Sequence, residues 1–302
     1  MLKPSGIDPI AVRRQFDRRG AALSDADFLL RDIEEQMFER LDLIRLEPDQ
    51  MVDMGCGLGD GLIGLRRRFP NARALGIDHS AAVLNVARSR IAPAPTGMFA
   101  RLLSKVSPSH RPLAELLVAD AGNAPLADNS ADLIWSNCCL HWLAEPVSAI
   151  EQWHRIVKPG GLLMFSMFGV DTLTQLRSLG ADLMTFHDMH DIGDSLVQAG
   201  FADPVMDMHL MTLEFSDADR LVHDLHALGG NAMATRDRFM SSRQQQAAWL
   251  QRLLQMRDSD GKFRVSFEVC FGHAWCPDQK RLPGGLSRVE FQPKPESKPD
   301  GS

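Results

Sequence analysis

At 302 residues, with 44% hydrophobic and 24% charged side chains, the chain has a globular composition and enough length for one large domain with an insertion. A net charge of −6 excludes nucleic-acid binding driven by the field of the whole protein, and no run of 18 apolar residues offers a membrane span. The five cysteines (Cys56, Cys138, Cys139, Cys270, Cys276) form neither a CxxC pair nor an extracellular framework, so free thiols in a reducing cytoplasm are expected.

The first segment holds arginines together with Asp8 and Asp17 and lacks the apolar core of an export signal. Pro9 to Arg19 and Asp25 to Leu46 carry apolar residues at helical spacing, among them Phe28, Leu29, Ile33, Met37, Leu41 and Ile44, with Ser24 as the expected N-cap of the second helix. A strand over Met51–Met54 then runs into Gly55, Gly57, Gly59 and Gly61 and opens a helix that Pro70 ends. The second strand, Ala74–Ile77, ends at Asp78, about 20 residues after the glycines, which is the spacing of a ribose-binding carboxylate in a doubly wound α/β domain.

A helix over Ala81–Ser89 precedes a Pro-punctuated, locally basic stretch, Pro93 to Pro112, containing Arg101, Lys105, His110 and Arg111. Strands follow at Leu116–Ala119 and Asp132–Asn137, a helix at Val147–Val157, a terminator at Lys158–Gly161 and a strand at Leu162–Phe168. Beyond Gly169 the pattern changes. Helices are expected at Asp171–Asp182, Asp191–Ala199, Asp217–Leu228 and Ser242–Met256, and two alternating strands at Val205–Phe215 and Lys262–Trp275, which extend the sheet at one edge. From Pro277 onward the composition predicts disorder.

The glycine turn also selects a ligand. A literal GxGxxG at Gly59, Gly61 and Gly64 is out of register, because its last glycine lies inside the helix. The in-register pattern places Asp53 at the strand end ahead of Gly55, Gly57 and Gly59. A carboxylate there suits the ammonium and sulfonium of S-adenosyl-L-methionine and would repel a dinucleotide pyrophosphate. Asp120 and Ala121, at the end of the third strand, are placed to meet the adenine, and Asn137 ends the fourth. His187 and His190 lack a third ligand at diagnostic spacing, so Asp191 is read as a helix N-cap instead of a metal ligand.

With Asp53 to Gly59, Asp78, Asp120–Ala121, Asp128–Asn137, Leu140–Trp142 and Val157–Gly161, residues 49–168 resemble the class I S-adenosylmethionine-dependent methyltransferases. The flanks narrow the resemblance. Val12–Arg19 (VRRQFDRR), residues 167–177 (MFGVDTLTQLR) and residues 225–232 (LHALGGNA) are similar to the biotin-pathway malonyl-[acyl-carrier protein] O-methyltransferases, and also to a complex I assembly factor of methyltransferase fold whose family hydroxylates arginine. This resemblance implies a mostly parallel, doubly wound, seven-stranded Rossmann-like sheet. The expected divisions are an N-terminal helical lid (1–48), a methyltransferase domain (49–276) with a helical insertion at about 171–260, and a tail at 277–302.

It also implies a malonyl thioester on an acyl carrier protein as partner, with neither nucleic acid nor membrane. Methylation of another small acid or phenol is the blander possibility. An arginine suits a malonyl carboxylate, and Arg18 and Arg177 occupy motif positions for that role. His141 could serve as a base toward an alcohol or phenol, although Trp142 beside it reads more simply as packing. Arg236, Arg238 and Arg243 are candidates for docking an acidic carrier. One departure is plain: the family's tyrosine near the cofactor is replaced by Leu23, in a chain that contains no tyrosine.

Overall fold

The computed structural model describes residues 6–278, apart from residues 21, 26, 93–112, 229 and 237–242. The expected basic loop, the expected tail from residue 279 and Arg238 lie outside the described residues, as does the side chain of Arg243.

Two helices come first, α1 (Pro9–Arg19) and α2 (Phe28–Leu41). The alternation then runs β1 (Gln50–Met54), α3 (Asp60–Arg68), β2 (Arg73–Asp78), α4 (Ala81–Ile91), β3 (Glu115–Val118), β4 (Ala131–Ser136), α5 (Pro146–Ile156) and β5 (Val157–Phe168). The remainder is α6 (Thr174–Ser178), α7 (Met189–Ala199), β6 (Ala202–Phe215), α8 (Ala218–Ala227), α9 (Arg243–Leu254) and β7 (Phe263–Trp275). The strands form one seven-stranded sheet in the order β3-β2-β1-β4-β5-β7-β6. Strands β1 to β5 pair in parallel, and β7 enters antiparallel between β5 and β6.

The period-two pattern of the strands divides the core into two layers. Met51, Leu133, Trp135, Leu162 and Met164 face one side, where Leu29, Ile33, Met37 and Leu41 of α2 and Leu62 and Leu65 of α3 cover them. Val52, Met54, Ile134, Leu163 and Phe165 face the other, against Ile150, Trp153 and Ile156 of α5 and Ile192 and Leu196 of α7. Each fully buried side chain of this kind contributes about 1.5–3 kcal/mol. The order reverses between β1 and β4, which opens a crevice beyond the carboxyl ends of the strands.

Several local expectations are corrected. Ser24 sits in a 3-10 turn (Ala22–Asp25), and the residue preceding α2 is Asp27, whose carboxylate is drawn 2.7 Å from Arg31 and makes no cap hydrogen bond. The helix expected at Asp171–Asp182 shrinks to α6, because Leu173 (φ 57°) and Gly180 (φ 81°) adopt left-handed conformations that interrupt it at either end. Asp188, not Asp191, caps α7, accepting from the His190 N–H at 2.8 Å. The Lys158–Gly161 terminator lies inside β5, as an irregularity between the pairings Ala131↔Val157 and Leu133↔Leu162, with Gly160 at φ 73°. The strand expected at Val205–Phe215 within the span 171–260 forms as β6, at the edge of the sheet.

The N-terminal segment is tied down at two places. Ser80 caps α4 by accepting from Val83 N–H at 3.2 Å, and its hydroxyl donates to Asp17 of α1 at 2.6 Å. At the other end of α1, Asp8 N–H donates to Ala232 O and Ala234 N–H to Gly6 O, both at 2.9 Å, while Gln15 donates to Asn231 O at 2.8 Å. Ser80→Ala, at a fully buried position, removes both a cap and a tie; it is expected to lower stability by about 1–2 kcal/mol in chemical denaturation and to speed proteolysis within α1.

Candidate active site

The glycine turn is built by backbone hydrogen bonding to the neighbouring strand. Gly55 and Cys56 N–H both donate to Ile77 O, at 2.8 and 2.9 Å. Gly57 N–H donates to Asp78 Oδ2 at 3.1 Å and Ser80 N–H to Asp78 Oδ1 at 2.8 Å, so the ribose-type carboxylate is held against the turn. Gly55, Gly57 and Gly59 have φ values of 77°, 50° and 85°, which favour glycine. Their surroundings differ: Gly59 backs onto Ala87 and Ile91 of α4, whereas Gly55 and Gly57 line a cavity. Gly59 therefore serves the packing of α3 on α4 and does not line that cavity.

This cavity is narrow, about 70 Å³, and is lined by carboxylates as well as glycines: Asp27, Glu34, Asp53 and Asp60, with Arg31, Leu23 and Asn137. Burial raises the Asp53 carboxyl well above its ordinary range, reinforced by the negative charge of Glu34, Asp78 and Asp60. Burial likewise pushes Glu34 up to about 8 and raises Asp78. Asn137 is fixed at both ends, donating to Leu30 O at 2.8 Å and accepting from Ser166 at 2.7 Å. Leu23, at the position of the family tyrosine, packs with Leu58 and Val83 at the edge of this cavity.

A second cavity, about 820 Å³, lies over the ends of β2 and β3. His79, Val118, Asp120, Gly122 and Leu143 form its floor, and Pro9 to Asp17 of α1 its roof. Asp120 holds the turn that follows by accepting from Gly122 N–H at 2.8 Å, and Ala121 O accepts from Trp153 Nε1 at 2.8 Å. Ala121 itself is buried below the cavity and does not line it.

The third cavity, about 730 Å³, is mostly apolar. Phe168, Leu173, Leu176, Phe186, Val222 and Phe267 are among its walls, and Asn231, His226 and Thr172 are polar points. Trp142 lines both this cavity and the one beneath α1, so a single indole separates the two.

The remaining expected site residues fall as follows. Arg18 is exposed on α1 and lines none of the three cavities. Arg177 is half-buried and donates to the backbone, to Thr172 O at 3.4 Å and to Met184 O, with its guanidinium 6.0 Å from the Phe186 ring. It props the wall of the apolar cavity without entering it. No arginine or lysine lines that cavity among the described residues. Arg236, offered as a docking cation, is folded back onto Asp8 at 3.5 Å and onto Met233 O at 2.6 Å. His141 is buried against Phe168, Trp142 and Phe186; its Nδ1 accepts from Phe168 N–H at 3.3 Å, and burial pushes its pKa down to about 3. Burial therefore holds it neutral at ordinary pH and makes it a weak base, and its Nε2 has no partner among the described residues.

Sequence reasoning missed Glu34, His79 and Leu143, whereas the α1 roof falls within the N-terminal helical lid it expected. Glu34 sits among apolar positions of α2 and only its burial distinguishes it.

Residues 52–165 match the family model described as a methyltransferase domain. Over nearly the whole chain the similarity is to one kind of enzyme. The malonyl-[acyl-carrier protein] O-methyltransferase of Laribacter hongkongensis is 38% identical over 299 residues, covering 95% of this chain and 96% of its own. The chain belongs to that family. The Methylovorus relative of the same name is 37% identical over 305 residues, covering 96% and 97% of the two chains. Among solved structures, phosphoethanolamine N-methyltransferase 2 of Haemonchus contortus, in complex with S-adenosyl-L-methionine, shares the fold at a TM-score of 0.53 and 16% identity, covering 88% of this chain and 60% of that one. The family member described here is thus a methyltransferase with a Rossmann-like sheet. No helix among its described residues is long and apolar enough to cross a membrane.

Proposed function

We propose that the protein transfers the methyl group of S-adenosyl-L-methionine to the free carboxylate of a malonyl thioester carried by an acyl carrier protein, as a step of biotin synthesis, and that it does so in the cytoplasm. The observation that carries this reading is the whole-chain similarity to malonyl-[acyl-carrier protein] O-methyltransferases, which spans the α1 roof and the apolar cavity as well as the glycine turn. The residues present fit the cofactor: Asp53 and Glu34 suit its ammonium, Asp78 its ribose hydroxyls, and the space beside His79 and Asp120 its adenine. When bound, the cofactor supplies a methyl group on a sulfonium, open to in-line attack.

The chain's own contribution is placement. A carboxylate is already ionised at neutral pH, so no residue has to remove a proton, and orientation supplies most of the acceleration. The walls formed by Trp142, Phe168 and Phe186 exclude water and strip solvent from the entering carboxylate. The malonyl head must sit near Trp142, because the two large cavities meet there. The rest of the apolar cavity has room for the thioester arm.

Because His141 is neutral above about pH 3, it contributes no ionisation limb between pH 5 and 8. The kcat profile of His141→Gln is expected to keep the shape of the parent's, and a limb that vanishes in the variant would restore His141 as a base. The function itself is tested by complementing a biotin-requiring strain that lacks its malonyl methyltransferase. Growth without biotin supports the reading; failure, with soluble protein present that binds the cofactor, contradicts it.

A further inference from the structure

The narrow cavity beside the glycine turn holds four carboxylates, and they divide into two pairs. The outer pair is neutralised. Asp27 meets Arg31 at 2.7 Å and Arg90 at 3.5 Å, and Asp60 meets Arg90 at 2.8 Å and Arg31 at 3.8 Å. The inner pair is not. No ion pair reaches Glu34 or Asp53 among the described residues, although they are only 7% and 2% exposed.

The inner carboxylates converge. A Cβ placed on Gly61 would lie 2.5 Å from Glu34 Oε1 and 2.8 Å from Asp53 Oδ2, so both oxygens crowd one point on the cavity wall, and only a glycine leaves room for them. Asp53 and Trp135 are neighbours in register on β1 and β4, and Trp135 Nε1 donates to Glu34 Oε1 at 3.1 Å, which fixes the α2 carboxylate over the β1 carboxylate. Asp53 has no hydrogen-bond donor among the described residues. A buried carboxylate that lines a cavity without a donor points to a ligand that brings one.

We propose that Glu34 of α2 belongs to the cofactor site: with Asp53 it forms a two-carboxylate receptor for the ammonium of the cofactor's amino-acid moiety, sharing a proton when no cation is present and releasing it when one binds. This rests on the S-adenosyl-L-methionine reading above. Two like charges this close in a buried site do not both ionise without a counter-charge. The surroundings reinforce the point: Asp60 of α3 and Asp78 of β2 add negative charge, the buried thiols Cys56, Cys138 and Cys139 stay protonated, and Arg31 is the one cation acting on Glu34 from α2. Burial lifts Glu34 to about 8 and Asp53 upward, so the pair retains a proton near neutrality, and an ammonium between them favours the fully ionised state. Because α2 belongs to the N-terminal segment, cofactor binding also fastens that segment to the sheet.

Titration calorimetry with S-adenosylhomocysteine, in phosphate and in Tris at pH 7, measures the proton. About one proton is expected to be released per site. 5′-Methylthioadenosine, which keeps the nucleoside and sulfur but has no amino acid, is expected to bind without release. In Glu34→Gln the release falls toward zero and S-adenosylhomocysteine binds about tenfold more weakly, while 5′-methylthioadenosine is unchanged. If Glu34→Gln does not fold, the buffer dependence of the parent protein alone decides. Buffer-independent binding of S-adenosylhomocysteine by the parent overturns the proposal and leaves the cofactor reading standing. No binding of either nucleoside overturns both.

Discussion

Gly57→Ala is expected to keep most of its stability and to lose cofactor binding, whereas Gly55→Ala is expected to lose stability. The two positions look equivalent in a glycine motif, but their surroundings are opposite. A Cβ on Gly57 would find no heavy atom nearer than Gly55 O at 3.9 Å, so it projects into open space, and that space belongs to the cavity of about 70 Å³. The left-handed φ of 50° adds about 1–2 kcal/mol of strain, a loss that a domain of this size tolerates. Affinity for S-adenosylhomocysteine should fall on the order of a hundredfold, close to 3 kcal/mol. A Cβ on Gly55 would instead lie 2.6 Å from Cys139 Cβ, and its φ of 77° carries the same strain. Clash and strain together cost about 2–5 kcal/mol. Chemical denaturation and calorimetric titration of the two variants separate the effects. Equal stability of both, or unimpaired binding by Gly57→Ala, would contradict this geometry.

Trp153→Ala should be the most damaging single truncation outside the turn. The indole is fully buried between α5 and the sheet, and its Nε1 donates to Ala121 O at 2.8 Å, directly after Asp120. Truncation leaves a large cavity and orphans a carbonyl, at a cost of about 3–5 kcal/mol. Trp153→Phe keeps most of the apolar volume and loses the hydrogen bond, costing about 1–3 kcal/mol. The phenylalanine variant should therefore fold, yet bind S-adenosylhomocysteine more weakly, because the β3 end that carries Asp120 loses its anchor. Thermal unfolding and ligand titration report the two effects independently. If the phenylalanine variant binds as tightly as the parent, the anchor has no bearing on the site.

The core of the fold was legible because its signals are local. The run from Met51 through Asp60 places strand, turn and helix start within ten residues, and Asp78 closes against the turn by accepting from the Gly57 backbone N–H. Alternation alone revealed β6 and β7; the edge strand β6 has one face to bury, whereas β7, between β5 and β6, is buried on both. What was not legible depends on contacts distant in sequence. The docking of α1 on residues 230–236 joins segments more than 200 residues apart, and nothing in either announces the other. Glu34 read as an ordinary helical charge, because periodicity reports which face is buried but not that a tryptophan on β4 waits beneath it. Arg177, read from its motif position as a carboxylate clamp, donates through Nε and Nη2 to the carbonyls of Thr172 and Met184, partners that the motif position does not reveal. The surroundings of His141 were equally hidden, since the rings of Phe168 and Phe186 that help to bury it and hold it neutral come from distant parts of the sequence.

The central claim is that a malonyl carboxylate on a carrier protein receives the methyl group. The most direct measurement is the intact mass of malonyl-acyl carrier protein after incubation with this protein and S-adenosyl-L-methionine, followed by fragmentation to locate the added mass. The account predicts a mass gain of one methylene on the carrier, located on the malonyl group as its methyl ester, and no gain on acetyl-acyl carrier protein, which has no free carboxylate. An unmodified malonyl carrier, in the presence of folded enzyme that binds S-adenosylhomocysteine, would contradict it.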